Sequence, residues 1–335
     1  MSEHKSTVPP TLFTENKGTE MEIEHSHLLI NNLNLHIAQI GKDELGTVVF
    51  LHGFPEIWYS WRHQMVAVAE AGYRAIAPDW RGYGLSDQPS DPENACWQHL
   101  MSDLLGLFDA LSISKAFLVG KDFGSFPAYL FALLYPDRIC GVVSIGMPYL
   151  PVPVSHDPLP EGFYVNRWQE PGRAEIDFSQ FDVKRVVRTI YILFSRSEIP
   201  IAPEGKEIMD LADLLTPLPE WFTEEDLSIY ASLYEKNGFT YPLQIPYRAM
   251  HNMGGIDVPP DLTIQVPVLY IQGEKDYSYK HPRNYQAMKE GIMQKYVRDL
   301  EITFIPDGCH FVQEQFPDQV NQLITRFVKG HPVNT

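Results

Sequence analysis

The chain alternates short, continuous apolar runs with longer stretches whose apolar residues recur every three or four positions, the rhythm of buried strands separated by amphipathic helices. Runs of the first kind, at 47–51, 74–78, 116–119 and 140–145, predict strands of a largely parallel sheet. Between them, 61–71, 94–111 and 125–135 predict helices; Pro127 is tolerated in the first turn of the last, where an N–H lacks an intrahelical partner anyway. Ahead of them, 27–30 and 33–40 alternate around Asn31-Asn32 and predict an antiparallel hairpin at a sheet edge. From Met147 to about Pro260 the rhythm breaks: prolines are dense over 148–160, no buried strand is evident, and 183–194, 204–215 and 224–236 predict helices. Strands resume at 266–271 and 301–305, and an amphipathic helix over 317–328 closes the pattern.

The expected fold is therefore α/β, a doubly wound and mostly parallel sheet with right-handed crossovers and a helical lid inserted after one strand. It divides into a loose tail over 1–21, a core over 22–147 and 261–330, and a helical cap over 148–260. A length of 335 residues with 44% apolar composition suits one large domain carrying an insertion. No run of about eighteen apolar residues occurs, so no membrane span is expected. The net charge of −17 argues against nucleic acid or an anionic membrane as partner. Cys96, Cys140 and Cys309 lack metal-ligand spacing, which points to free thiols in a reducing compartment and to neither a disulfide framework nor a metal. The N-terminus lacks a basic region followed by an apolar one and is too acidic for a typical transit peptide, so a soluble cytoplasmic protein, monomer or homodimer, is expected.

Candidate chemistry lies where strands end. The apolar run before Val119-Gly120-Lys121-Asp122-Phe123-Gly124-Ser125 turns at once into a helical pattern, with glycines on both sides of one acidic residue. This is the layout of a nucleophile elbow, in which small neighbours let the central side chain stand proud of the turn. Many such elbows carry Ser; here the residue is Asp122, a carboxylate that can attack a carbon electrophile directly and displace oxygen or halide to form an ester. Asp276 and His310 also follow predicted strands, in the order nucleophile, acid, histidine. Alone, Asp122 reads as a helix cap, Asp276 as a turn residue and His310 as structural; together at three strand ends they read as a triad. After 47–51, His52-Gly53-Phe54-Pro55 allows backbone N–H groups to face a pocket, and the N–H groups of Phe54 and Phe123 are the expected oxyanion donors. His52, Pro55 and Trp58 are candidate substrate contacts on the same loop.

With these strings the chain resembles the soluble epoxide hydrolases of the α/β-hydrolase superfamily, most closely the plant type. The match comprises His52-Gly53-Phe54-Pro55-Glu56 with Trp58, Asp79 with Arg81-Gly82-Tyr83-Gly84, the elbow, Gly273-Glu274-Lys275-Asp276 and Gly308-Cys309-His310-Phe311. Within 148–260, the segments containing Tyr164 and Tyr247 look like those that carry the family's two lid tyrosines. The resemblance implies a small apolar epoxide and water as partners, fatty-acid or aryl epoxides among the substrates, no cofactor, and a vicinal diol as product. Three positions depart from the common pattern: Lys121 stands where histidine is frequent, Phe123 where tryptophan is, and Pro246 where an aromatic residue is. The competing readings are a haloalkane or haloacid dehalogenase, a biosynthetic enzyme that opens an epoxide with an internal nucleophile, and a small-molecule receptor on the same scaffold. Two phenols suit an alkoxide leaving group, whereas Phe123 has no side-chain donor for a halide.

Overall fold

The fold is described from a computed structural model covering residues 21–333. The tail expected over 1–21 lies, apart from Met21, outside the described residues. Eight strands form a single sheet in the order β1-β2-β4-β3-β5-β6-β7-β8. β1 (Glu24–Ile30) and β2 (Leu33–Ile40) make the expected hairpin, with Asn31 and Asn32 at φ 49° and 63°, the left-handed pair that a two-residue hairpin turn requires. β2 runs antiparallel to β4 (Arg74–Pro78); all other pairings, through β3 (Thr47–Leu51), β5 (Ala116–Lys121), β6 (Ile139–Ile145), β7 (Val268–Gly273) and β8 (Leu300–Ile305), are parallel. β3, β5 and β7 are buried throughout, which explains their unbroken apolar runs. The chain passes from β3 to β4 on one side and then to β5 on the other. The carboxyl ends of β3 and β5 thus flank a topological switch point, where open α/β sheets bind ligands.

Helices α1 (Arg62–Glu70), α2 (Trp97–Ala110) and α3 (Ser125–Leu134) connect the first strands. Between β6 and β7 come α4 (Tyr164–Gln169), α5 (Arg173–Phe178), α6 (Val183–Phe194) and α7 (Glu224–Tyr234), with a π-helical segment at Leu243–Arg248. After β7 follow α8 (Pro282–Lys289) and α9 (Ile292–Tyr296), and after β8 come α10 (Val312–Gln315) and α11 (Pro317–Gly330). The expected helix at 204–215 is instead a single 3₁₀ turn, Ile208–Leu211. Gly205 takes φ 75° before it, and after it Asp213 Oδ1 captures the N–H groups of Leu215 and Thr216, so side chain replaces helix as the backbone's partner. β7 begins two residues later than the apolar run at 266, because Pro267 has no N–H to give a ladder. Among the described residues, no helix is long and apolar enough to cross a membrane.

The helical insertion is anchored over the carboxyl ends of the strands. Tyr59 Oη and Arg62 Nη2 donate to Asp226 Oδ1 of α7, Tyr191 and Tyr230 donate to Glu314 of α10, and Tyr83 Oη donates to the Ile245 carbonyl. The surface between insertion and sheet is aromatic, with Phe54, Tyr164, Trp168, Phe194 and Tyr247 meeting edge to face or tilted.

Candidate active site

Asp122 begins a 3₁₀ turn at the end of β5 with φ 52°, a conformation a non-glycine residue holds only when its surroundings dictate it. The surroundings are close-packed main chain and glycines. A Cβ on Gly124 would come 2.1 Å from the Leu51 carbonyl oxygen, and one on Gly53 would come 2.6 Å from the Asp122 Cβ. Only glycine allows β3, the loop after it and the elbow to approach this closely. The result is a carboxylate only 6% exposed, at the N-terminal end of α3, with Oδ1 accepting the Phe54 N–H at 3.3 Å. Phe123, next in the turn, lays its ring against Tyr247, with centroids 5.7 Å apart.

The other two strand-end residues converge on the same point. His310, on the loop between β8 and α10, is buried, with Nδ1 3.1 Å from Asp276 Oδ1 and Nε2 3.6 Å from Asp122 Oδ2. Asp276 also accepts the Ser278 N–H at 2.8 Å and the Gln272 side-chain amide at 3.3 Å. Burial alone would push its carboxyl up, but the neighbouring imidazole, Lys121 and these donors outweigh that and hold it below the usual range. An ionised Asp276 can accept from His310 Nδ1–H, an arrangement that turns Nε2 toward Asp122.

Tyr164 opens α4 and Tyr247 lies in the π-helical segment; their rings meet edge to face, with centroids 6.2 Å apart. The Tyr164 hydroxyl lies 3.0 Å from that of Tyr277, the residue after Asp276. Burial, with the nearby Asp122 charge, raises all three phenols well above their ordinary range, so each remains a neutral hydrogen-bond donor. Tyr277 is absent from the sequence-level site. A third phenol beside the acid was visible there, but its partnership with Tyr164 depends on how the insertion docks.

The proposed substrate contacts separate. His52 is buried, accepts the Trp80 N–H on Nε2 at 3.1 Å and donates from Nδ1 to the Gly53 carbonyl at 2.9 Å. It is therefore a neutral brace between the loops after β3 and β4, and with Phe123, Trp97, Leu100, Tyr241 and Pro246 it walls a small apolar cavity. Pro55 is buried within the loop. Trp58 packs its ring edge-on to His25 at 4.6 Å and near His36 at 6.2 Å, beside the β1–β2 hairpin. Among the described residues, no cluster of three or more His, Cys, Asp or Glu is disposed to hold a metal ion.

A sheet with this strand order, an acidic elbow and a histidine–carboxylate pair at its carboxyl edge define an α/β hydrolase. Residues 46–317 match the model of that family, described as the alpha/beta hydrolase fold. The chain is 37% identical to epoxide hydrolase 3 of Siraitia grosvenorii, over 92% of this chain and 98% of that one, and 31% identical to epoxide hydrolase A of Mycobacterium tuberculosis, over 90% and 95%. Its structure superposes on potato (Solanum tuberosum) epoxide hydrolase I with a TM-score of 0.81 at 32% identity, over 92% of this chain and 100% of that one. The chain belongs to the α/β-hydrolase fold family and, within it, to the epoxide hydrolases.

Proposed function

We propose that this protein hydrolyses epoxides to vicinal diols through an ester on Asp122. The observation that carries the reading is the meeting of Asp122 with His310 at 3.6 Å under two buried tyrosines of the helical insertion. In the first step an Asp122 oxygen attacks an epoxide carbon in line with the C–O bond. That bond breaks, and the departing oxygen takes a proton from Tyr164 or Tyr247, leaving a hydroxyalkyl ester and a phenolate. Tyr277, hydrogen-bonded to Tyr164, orients that phenol and spreads its developing charge.

In the second step His310 Nε2 accepts a proton from water while the hydroxide adds to the ester carbonyl carbon of Asp122. The oxyanion is held by the N–H groups of Phe54 and Phe123. Collapse expels the diol oxygen, which takes the proton from His310, and the remaining acid proton returns to the phenolate. Atoms and charge balance with one water consumed.

The aromatic lining favours an apolar epoxide, and the free thiols Cys96, Cys140 and Cys309 suit a cytoplasmic protein. We assign 148–260 as a cap over a core of 22–147 and 261–330. The test is peptide mass spectrometry of His310→Gln incubated with a panel of epoxides and haloalkanes. Asp122 is expected to gain the full mass of an epoxide and to keep it. Labelling by haloalkanes with loss of halide, and by no epoxide, would replace this reading with a dehalogenase.

A further inference from the structure

Lys121, the last residue of β5, is fully buried, and its Nζ lies 3.2 Å from His310 Nε2 and 5.8 Å above the Phe311 ring. Its polar partner is thus the ring nitrogen assigned to water activation. Gly146, the residue after β6, leaves room beside it: a Cβ there would sit 3.1 Å from Asp276 Oδ2 and 3.6 Å from Lys121 Nζ. A buried ammonium without a close carboxylate is costly, so its placement needs a reason.

The geometry supplies one. Donation from Nζ to Nε2 requires a lone pair on Nε2, which places the ring proton on Nδ1, facing Asp276. Lys121 and Asp276 therefore fix one tautomer of His310 from its two ends. A cation at this distance also opposes a second positive charge on the ring. The charged and titratable groups around the pair are Asp276 beyond β7, Asp122 at the elbow, Glu56 after β3 and Cys309 before the histidine; Tyr277 closes one side. Esterification removes the Asp122 charge, so Lys121 weighs most on His310 in the hydrolytic half of the cycle.

We infer that Lys121 is a positioning residue for ester hydrolysis: in the resting enzyme it holds His310 in the tautomer whose Nε2 lone pair is available, and it yields that lone pair to water once Asp122 is esterified. The inference rests on the two-step reading above. It is tested with Lys121→Met and Lys121→Gln, the second keeping a donor without charge. In the substrate-free enzyme, ¹⁵N-histidine NMR, with His310 assigned by its loss in His310→Gln, should show the Nδ1–H tautomer and a protonation midpoint about one pH unit lower in the wild type than in either variant. In single turnovers the acidic limb of ester hydrolysis should move up by the same unit, about a tenfold loss of rate on that limb, with ester formation changed less. An unmoved midpoint, or a proton on Nε2 in the wild type, overturns the inference. A wild type that forms no ester with any epoxide defeats the reaction reading instead, while the NMR shift still decides whether Lys121 governs His310.

Discussion

The buried hydroxyls of Tyr164 and Tyr277 lie 3.0 Å apart, so one phenol must donate to the other. Tyr164 is free to give its own proton to a substrate only when Tyr277 is the donor. Replacing Tyr277 by Phe should therefore slow ester formation about tenfold, the worth of one buried hydrogen bond. Tyr164→Phe should slow it about a hundredfold or more. Rapid-quench single turnovers separate the two; an unchanged rate in Tyr277→Phe would reduce that residue to packing.

Gly53→Ala should leave the protein folded and nearly inactive. The added methyl meets the Asp122 Cβ at 2.6 Å and its Oδ1 at 2.7 Å, so the carboxylate must leave its place beside the Phe54 N–H. A misplacement of about 1 Å costs on the order of a hundredfold in kcat/KM. Circular dichroism and steady-state kinetics on the same sample check both halves of this prediction.

Glu56 is fully buried, and burial pushes its carboxyl up to about 8 against the partial relief given by Lys121. The unfolded chain releases this proton near 4.5, the native protein only near 8, so the native state loses stability as pH rises between them. Glu56→Gln has no proton to release, and its stability relative to the wild type should grow from pH 5 to pH 8, by at most about 1.4 kcal/mol per unit. Urea unfolding at the two pH values measures it; an equal gap at both would mean that Glu56 ionises normally in the fold.

Arg62 ties core to insertion, with Nη1 2.6 Å from Glu314 Oε2 and Nη2 2.9 Å from Asp226 Oδ1. Glu314 is buried, so Arg62→Met strands a carboxylate and should cost about 3 kcal/mol. Adding Glu314→Gln should recover part of that loss in thermal unfolding. No recovery would mean that the lost packing of the arginine stem, rather than the stranded charge, sets the cost.

Much of the core was legible because parallel strands buried on both faces need unbroken apolar runs, and because such a fold places its chemistry where those runs stop. Asp122, Asp276 and His310 follow from that rule, and the structure brings them together. The insertion was harder to read. At Asp213 and Thr216 short polar side chains compete with a helix for the backbone, which apolar spacing does not register. Trp58 lies three residues beyond Pro55, yet its ring meets His25 of the hairpin, a contact between distant parts of the chain that no periodicity marks. Tyr277 and Lys121 act through neighbours distant in the chain, so neither announces its partner locally.

The close backbone approach around Gly120 and Gly124 divides the protein's capacity for change. Where main chain touches main chain there is no side chain to trim, so the elbow has no slack through which variation could enter. Trp97, Leu100, Ile245 and Pro246 meet the neighbouring cavity through exchangeable side chains. Variation at these four positions can reshape that small cavity while the backbone contacts that seat Asp122 stay as they are.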